Sequence, residues 1–238
     1  MKRIIFLLIA ALTLLACEKK PVTPPIPEGD YIPMLTSTSW TDIQWMQAFD
    51  PQSYSYTGPE VLFIDHYEYV GDTTINTTQY KIIYRWFIYD NRPATFSQRS
   101  YLREDSAARR VYYYAGPTNP EIVLYDFSLQ IGDTCPFGRT MYGYTLAEVT
   151  TITNLGKTRR QFLFTRDVDG QDCKDSVIWI EGIGGRELLF PIEKTLQDPR
   201  ARVICVKNGD EVIYDTSDDF DDIDCSEVTD IINERITK

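Results

Sequence analysis

A chain of 238 residues with 43% hydrophobic and 13% aromatic content can bury a sizeable core, which excludes a disordered polypeptide. Its formal net charge of −11 becomes −13 once Lys2 and Arg3 are lost with the leader described next. Such a field repels phosphate backbones, so nucleic-acid binding is disfavoured, and it gives the body no attraction to anionic lipid.

Lys2 and Arg3 precede an apolar run from Ile4 to Ala16, broken only by Thr13. A charged start followed by an apolar run of 13 residues has the form of a secretory signal. A membrane-spanning helix needs about 20 apolar residues, so this run is too short to be one. It ends in Leu14-Leu15-Ala16-Cys17, which resembles the lipobox of bacterial lipoproteins. The resemblance implies cleavage before Cys17, diacylation of its thiol and acylation of the new amino group. One acyl chain holds a protein to a bilayer only marginally, and several make the tether stable. Residues 1–16 are thus expected to be a lipoprotein signal, with Cys17 the lipidation site and the membrane its first partner. The expected location is the bacterial cell envelope, at the outer membrane. Glu18-Lys19-Lys20 lacks the acidic run associated with surface export, and the periplasmic and surface faces both stay open.

Pro21, Pro24, Pro25, Pro27 and Pro33 follow. Repeated proline removes the backbone donors that helices and sheets need, so residues 17–33 read as a lipidated, extended tether. The remaining residues, 34–238, carry no Pro/Gly/Ser linker and read as one extracytoplasmic domain.

Period-two alternation dominates that domain. In Val61–Val70, Val61, Phe63, Tyr67 and Tyr69 share a face that Asp65 interrupts, with Leu62, Ile64 and Val70 opposite. Tyr80–Tyr89 places Tyr80, Ile82, Tyr84, Trp86 and Ile88 on one face. Further strands are expected at Ser100–Arg103, Val111–Tyr114, Glu121–Leu129, Tyr144–Thr153, Arg159–Thr165 and Ser176–Glu181. Asp169-Gly170 and Asn208-Gly209 supply hairpin turns, the latter joining Arg202–Val206 to Glu211–Tyr214. Only Ser226–Ile236 reads as a helix, with Ser226 as its N-cap and Val228, Ile231 and Ile232 along one stripe. Many short antiparallel strands and one short C-terminal helix predict an all-β sandwich or barrel-like domain.

Besides Cys17 there are four cysteines, Cys135, Cys173, Cys205 and Cys225. An even count in an exported chain predicts two disulfides among three possible pairings. Cys205 and Cys225 flank one hairpin-like segment and are the expected pair, which leaves Cys135 with Cys173. Zinc is the competing reading. It is disfavoured because there is no Cys-x-x-Cys and His66 is the sole histidine.

Tyr101-Leu102-Arg103-Glu104-Asp105, the run Leu124–Thr134 and Trp179-Ile180-Glu181-Gly182-Ile183-Gly184 resemble an uncharacterised group of Bacteroidetes secreted proteins and lipoproteins. The similarity covers about residues 33–225. Some of these relatives continue into a sorting domain of the type IX secretion pathway, whereas this chain stops at Lys238, in keeping with lipid anchoring. The group has no established activity, so the resemblance implies a location and transfers no catalytic residue. Asp72-Thr73-Thr74, Asp105-Ser106-Ala107 and Asp175-Ser176-Val177 also resemble the O-glycosylation triplet of that phylum.

Each candidate site meets a plainer explanation. From Asp210 to Cys225, eight of sixteen residues are acidic, including Asp218, Asp219, Asp221, Asp222 and Asp224. They could hold Ca²⁺, but the spacing is not that of an EF-hand, and a solvated acidic loop is the simpler reading. Asp167-Val168-Asp169-Gly170 has no loop-closing Glu at the twelfth position, where Ile178 stands, so it reads as a hairpin. Gly182-Ile183-Gly184-Gly185 lacks a following helix and reads as a bend. His66 lies in an apolar strand and reads as a packing residue. Trp86 and Tyr112–Tyr114 are candidates for a sugar-stacking platform, although cross-strand packing also favours such residues.

No catalytic, metal or cofactor residue is assigned. The expected function is a non-catalytic binding or scaffolding domain for a glycan or another envelope protein. A glycan hydrolase using two carboxylates is the alternative.

Overall fold

A computed structural model describes residues 30–50, 55–89, 92–135, 143–167, 174–186, 189, 202–216 and 223–236. The expected anchor Cys17, most of the expected tether, Cys173, Asp169-Gly170 and the acidic residues Asp218, Asp219, Asp221 and Asp222 lie outside these. The described strands are β1 (Ser39–Asp50), β2 (Ser55–Ile75), β3 (Thr78–Tyr89), β4 (Thr95–Asp105), β5 (Arg110–Tyr114) and β6 (Ile122–Asp126). They continue with β7 (Thr145–Asn154), β8 (Lys157–Asp167), β9 (Lys174–Ile180), β10 (Gly184–Gly185), β11 (Arg202–Asn208) and β12 (Glu211–Asp215), and helix α1 spans Cys225–Arg235.

An eight-stranded antiparallel sheet runs β12-β11-β1-β2-β3-β4-β5-β6, and a four-stranded sheet runs β10-β9-β8-β7. The fold is the all-β, sandwich-like one that the alternation predicts. Trp40, Tyr67, Ile83, Leu102 and Leu124 of the large sheet share one buried cluster with Leu146, Phe162, Phe164 and Trp179 of the small sheet. This defines the large sheet's inner face.

The outer face is only partly covered. Ile43, Ile64 and Ile88 lie opposite one another on β1, β2 and β3. They form a second buried cluster with Ile204 and with Val228 and Ile232 of α1. The expected disulfide between Cys205 and Cys225 is present and fastens the start of the helix to β11. Closing a loop of this size stabilises by about 3 kcal/mol in the chain-entropy model. At the other end of α1 the Arg235 carbonyl accepts from Ala94 N–H, so the helix crosses from β11 to the start of β4.

Three sequence expectations are amended. The N-cap is Asp224, whose carboxylate accepts from Glu227 N–H at 2.7 Å, two residues ahead of the expected Ser226. The strand expected over Glu121–Leu129 ends at Asp126, whose side chain accepts from Ser128 N–H and closes a local turn. Val70, expected beside Leu62 and Ile64, falls at a bulge between Tyr69 and Gly71 and is 42% exposed. Strand β1, which the alternation did not reveal, lies in the middle of the large sheet.

The first described residues already belong to the body. Tyr31 packs against Phe127 with ring centroids 6.2 Å apart, and its hydroxyl donates to Glu104. The same carboxylate accepts from Met34 and Leu35 N–H, and so fixes where the chain enters the sandwich. Burial and then the Glu104 hydrogen bond push the Tyr31 hydroxyl far above its ordinary pKa.

Candidate functional site

The outer face beyond α1 is built by register. His66 and Glu68 of β2 stand opposite Trp86 and Tyr84 of β3. Those two stand opposite Phe96 and Arg99 of β4. Period two sends all six side chains to one side, and strand spacing of about 4.8 Å sets them in two adjacent rows. The Tyr84 and Phe96 rings meet edge-on at 5.1 Å, and Trp86 and Phe96 at 5.7 Å. Phe96 is 46% exposed, one of three exposed large hydrophobic residues among the described residues. An exposed phenylalanine among half-buried aromatic rings makes a stacking surface.

Arg99 lies on this surface with its guanidinium carbon 5.2 Å from the Tyr84 ring centroid. It donates to the Tyr84 hydroxyl at 2.8 Å, and hydrogen bonds to Tyr101 and Tyr84 hold its pKa above the ordinary value. Farther along the same face Arg103 stacks 3.7 Å from the Tyr112 centroid and grips Glu121 with two hydrogen bonds. Tyr80 also donates to Glu121 at 2.8 Å. Burial opposes ionisation of Glu121, yet the Arg103 and Tyr80 hydrogen bonds prevail and its pKa is lowered.

At its other end the aromatic surface meets a polar cleft of about 310 Å³ under α1. Glu68, His66, Lys207, Asp210 and Asn233 contribute to its walls. Lys207 Nζ donates to Thr229 of the helix at 2.7 Å. Glu68 and His66 also line the neighbouring cleft of about 270 Å³, with Asn233 and Ile236. A concave site with a few convergent polar groups beside aromatic rings suits a polyhydroxylated ligand.

The structure sorts the sequence candidates. Trp86 and Tyr112 lie on the outer face, but Tyr112–Tyr114 is not a single patch: Tyr113 pairs with Leu102 and is buried in the inner core. His66 is buried and hydrogen-bonds Thr41 at 3.0 Å through Nδ1, as a packing residue does. Cys135 is buried in the inner cluster, and its expected partner Cys173 lies outside the described residues. Gly182–Gly185 forms a turn and the short strand β10, as the bend reading expects. Asp210 stands on the hairpin between β11 and β12, and Asp224 caps α1. Among the described residues, no three of His, Cys, Asp and Glu come together as a metal site.

Sequence reading missed Phe96, Arg99, Glu68 and Asn233 as site residues. A bulge between Arg85 and Trp86 shifts the β3–β4 register, which hides that Phe96 and Arg99 share a face despite odd spacing. Comparison with family models, with curated proteins and with solved structures finds no match for this chain.

Proposed function

We propose that this protein is a lipid-anchored component of the bacterial cell envelope whose β domain is a non-catalytic glycan-binding module. In this reading acylated Cys17 holds the chain at the outer membrane, and the outer face of β3 and β4 receives the sugar. The observation that carries it is exposed Phe96 packed against the half-buried rings of Tyr84 and Trp86, beside a polar cleft. Sugar rings present apolar C–H faces that stack on aromatic rings, while their hydroxyls need donors and acceptors alongside. Glu68 and Asn233 supply such groups where the cleft opens.

The test is retention of detergent-solubilised full-length protein on a panel of immobilised polysaccharides. Phe96→Ala and Tyr84→Ala should each weaken binding about tenfold, a stacking contribution of ordinary size. Leu155→Ala, at an exposed turn elsewhere, should leave it unchanged. Equal binding by all four proteins would defeat the proposal.

A glycan-processing hydrolase is the second reading, favoured by Glu68 and Asp210 lining one cleft. Paired carboxylates are the machinery such hydrolysis needs. Release of new reducing ends, abolished by Glu68→Gln or Asp210→Asn, would establish it in place of the first.

A further inference from the structure

Three arginines occupy the outer face of β4 and β5, and two are neutralised in place. Arg103 is held by Glu121 and Arg110 by Asp126, the latter at 2.7 Å. Arg99 differs. Its partners are the hydroxyls of Tyr84 and Tyr101, neither of them charged, and it has no carboxylate partner among the described residues. In a chain with 35 acidic residues against 24 basic ones, an exposed cation fixed on an aromatic surface with no ion pair among the described residues is conspicuous.

We infer that the glycan received by the outer face carries carboxylate groups, and that Arg99 is the specificity-determining residue that reads them. The inference rests on the glycan reading above and adds the chemical class of the sugar. Stacking on Tyr84 and the 2.8 Å hydrogen bond to its hydroxyl hold the guanidinium in place, so little side-chain freedom is lost on binding. A guanidinium has five N–H donors in a planar fork, and the tyrosines leave most of them open to a planar carboxylate. In a uronic acid the carboxylate extends from the ring roughly in its mean plane. A ring lying on Phe96 would therefore project that group along the sheet surface, where Arg99 stands on the same strand and the same face.

The test compares full-length, detergent-solubilised protein on polygalacturonate and on the same polymer after reduction of its carboxyl groups to alcohols, at about 0.15 M salt, which screens the chain's acidic field beyond about 8 Å and leaves a contact pair in place. The wild type should bind the acidic polymer about tenfold more tightly, the usual worth of one charge-assisted pair. Arg99→Gln should erase that preference while still binding the reduced polymer, and Arg99→Lys should restore only part of it. Matched thermal melts of the variants establish that the fold is intact. Equal wild-type affinity for both polymers, or a preference that survives Arg99→Gln, overturns the inference while leaving the glycan reading standing. Dextran sulfate bound as tightly as polygalacturonate would show general anion attraction and overturn the carboxylate assignment. Binding to no glycan of any kind would bring down both together.

Discussion

Arg103, Glu121 and Tyr80 show how the outer face is stiffened one side chain at a time. The Glu121 carboxylate accepts from both neighbours, and its pKa lies below the ordinary 4.5 despite partial burial. A carboxylate with a depressed folded pKa contributes stability above its unfolded pKa and loses it as pH falls through the folded one. The difference in Tm between the wild type and Glu121→Gln should therefore be full at neutral pH and shrink as the solution is taken below 4.5. A difference that stays constant down to strongly acid pH contradicts this account. Gly182 makes a steric prediction. It holds φ at +79°, and a Cβ there would sit 2.6 Å from Ile32 Cγ2 and 2.8 Å from an Arg159 nitrogen. Gly182→Ala should cost about 2 kcal/mol, readable by chemical denaturation, and a neutral result would mean that the turn can relax. Residues of this kind also set the limits of the sequence reading. Asp65 looked like an interruption of an apolar face, yet it is buried and gripped by both Nε and an NH₂ group of Arg85 at 2.8 Å. Arg160 and Glu181 likewise pair within the sandwich at 8% and 2% side-chain exposure. Period-two patterns mark where side chains point, but they do not tell which polar residue will find a partner across a strand.

At the scale of elements, strands with apolar alternation were legible and strands without it were not. Tyr80–Tyr89 alternates cleanly and matches β3 to within two residues. Over Trp40–Ile43 strand β1 is buried on both faces: Trp40 and Asp42 point inward, Thr41 and Ile43 point outward, and Ile43 joins the cluster under the helix. Asp42, fully buried, accepts from Leu189 N–H at 3.0 Å, a partner 147 positions away that no local pattern could announce. The turn between β2 and β3 was also hidden. Asn76 and Thr77 take φ of 48° and 71°. Asparagine tolerates that region, but a β-branched threonine pays a steric penalty there. Thr77→Gly should therefore raise stability by up to about 1 kcal/mol in a denaturant titration, and a loss of stability would show that the threonine side chain supports the hairpin. Helix α1 was legible because its buried Val228 and Ile232 keep helical spacing, whereas its start depended on which of two polar residues, Asp224 or Ser226, caps the first free amides.

For the molecule as a whole, the all-β class was legible because ten or more short alternating segments without intervening helices leave few alternatives. The candidate site was legible only in part. Trp86 and Tyr112 were visible as aromatic residues, but the site depends on register across three strands and on a helix that covers part of one face. The expected anchor makes an independent prediction. Wild-type protein should partition into the detergent phase of a two-phase extraction, and Cys17→Ser should move it to the aqueous phase. Unchanged partitioning of Cys17→Ser would sever the chain from the lipoprotein reading. Binding without turnover is measured by incubating full-length protein with a retained polysaccharide for a day, recovering the polymer and counting its reducing ends. Retention with chain length unchanged is the outcome expected of a binding module. Steady appearance of new reducing ends, or no retention on any polysaccharide offered, would contradict it.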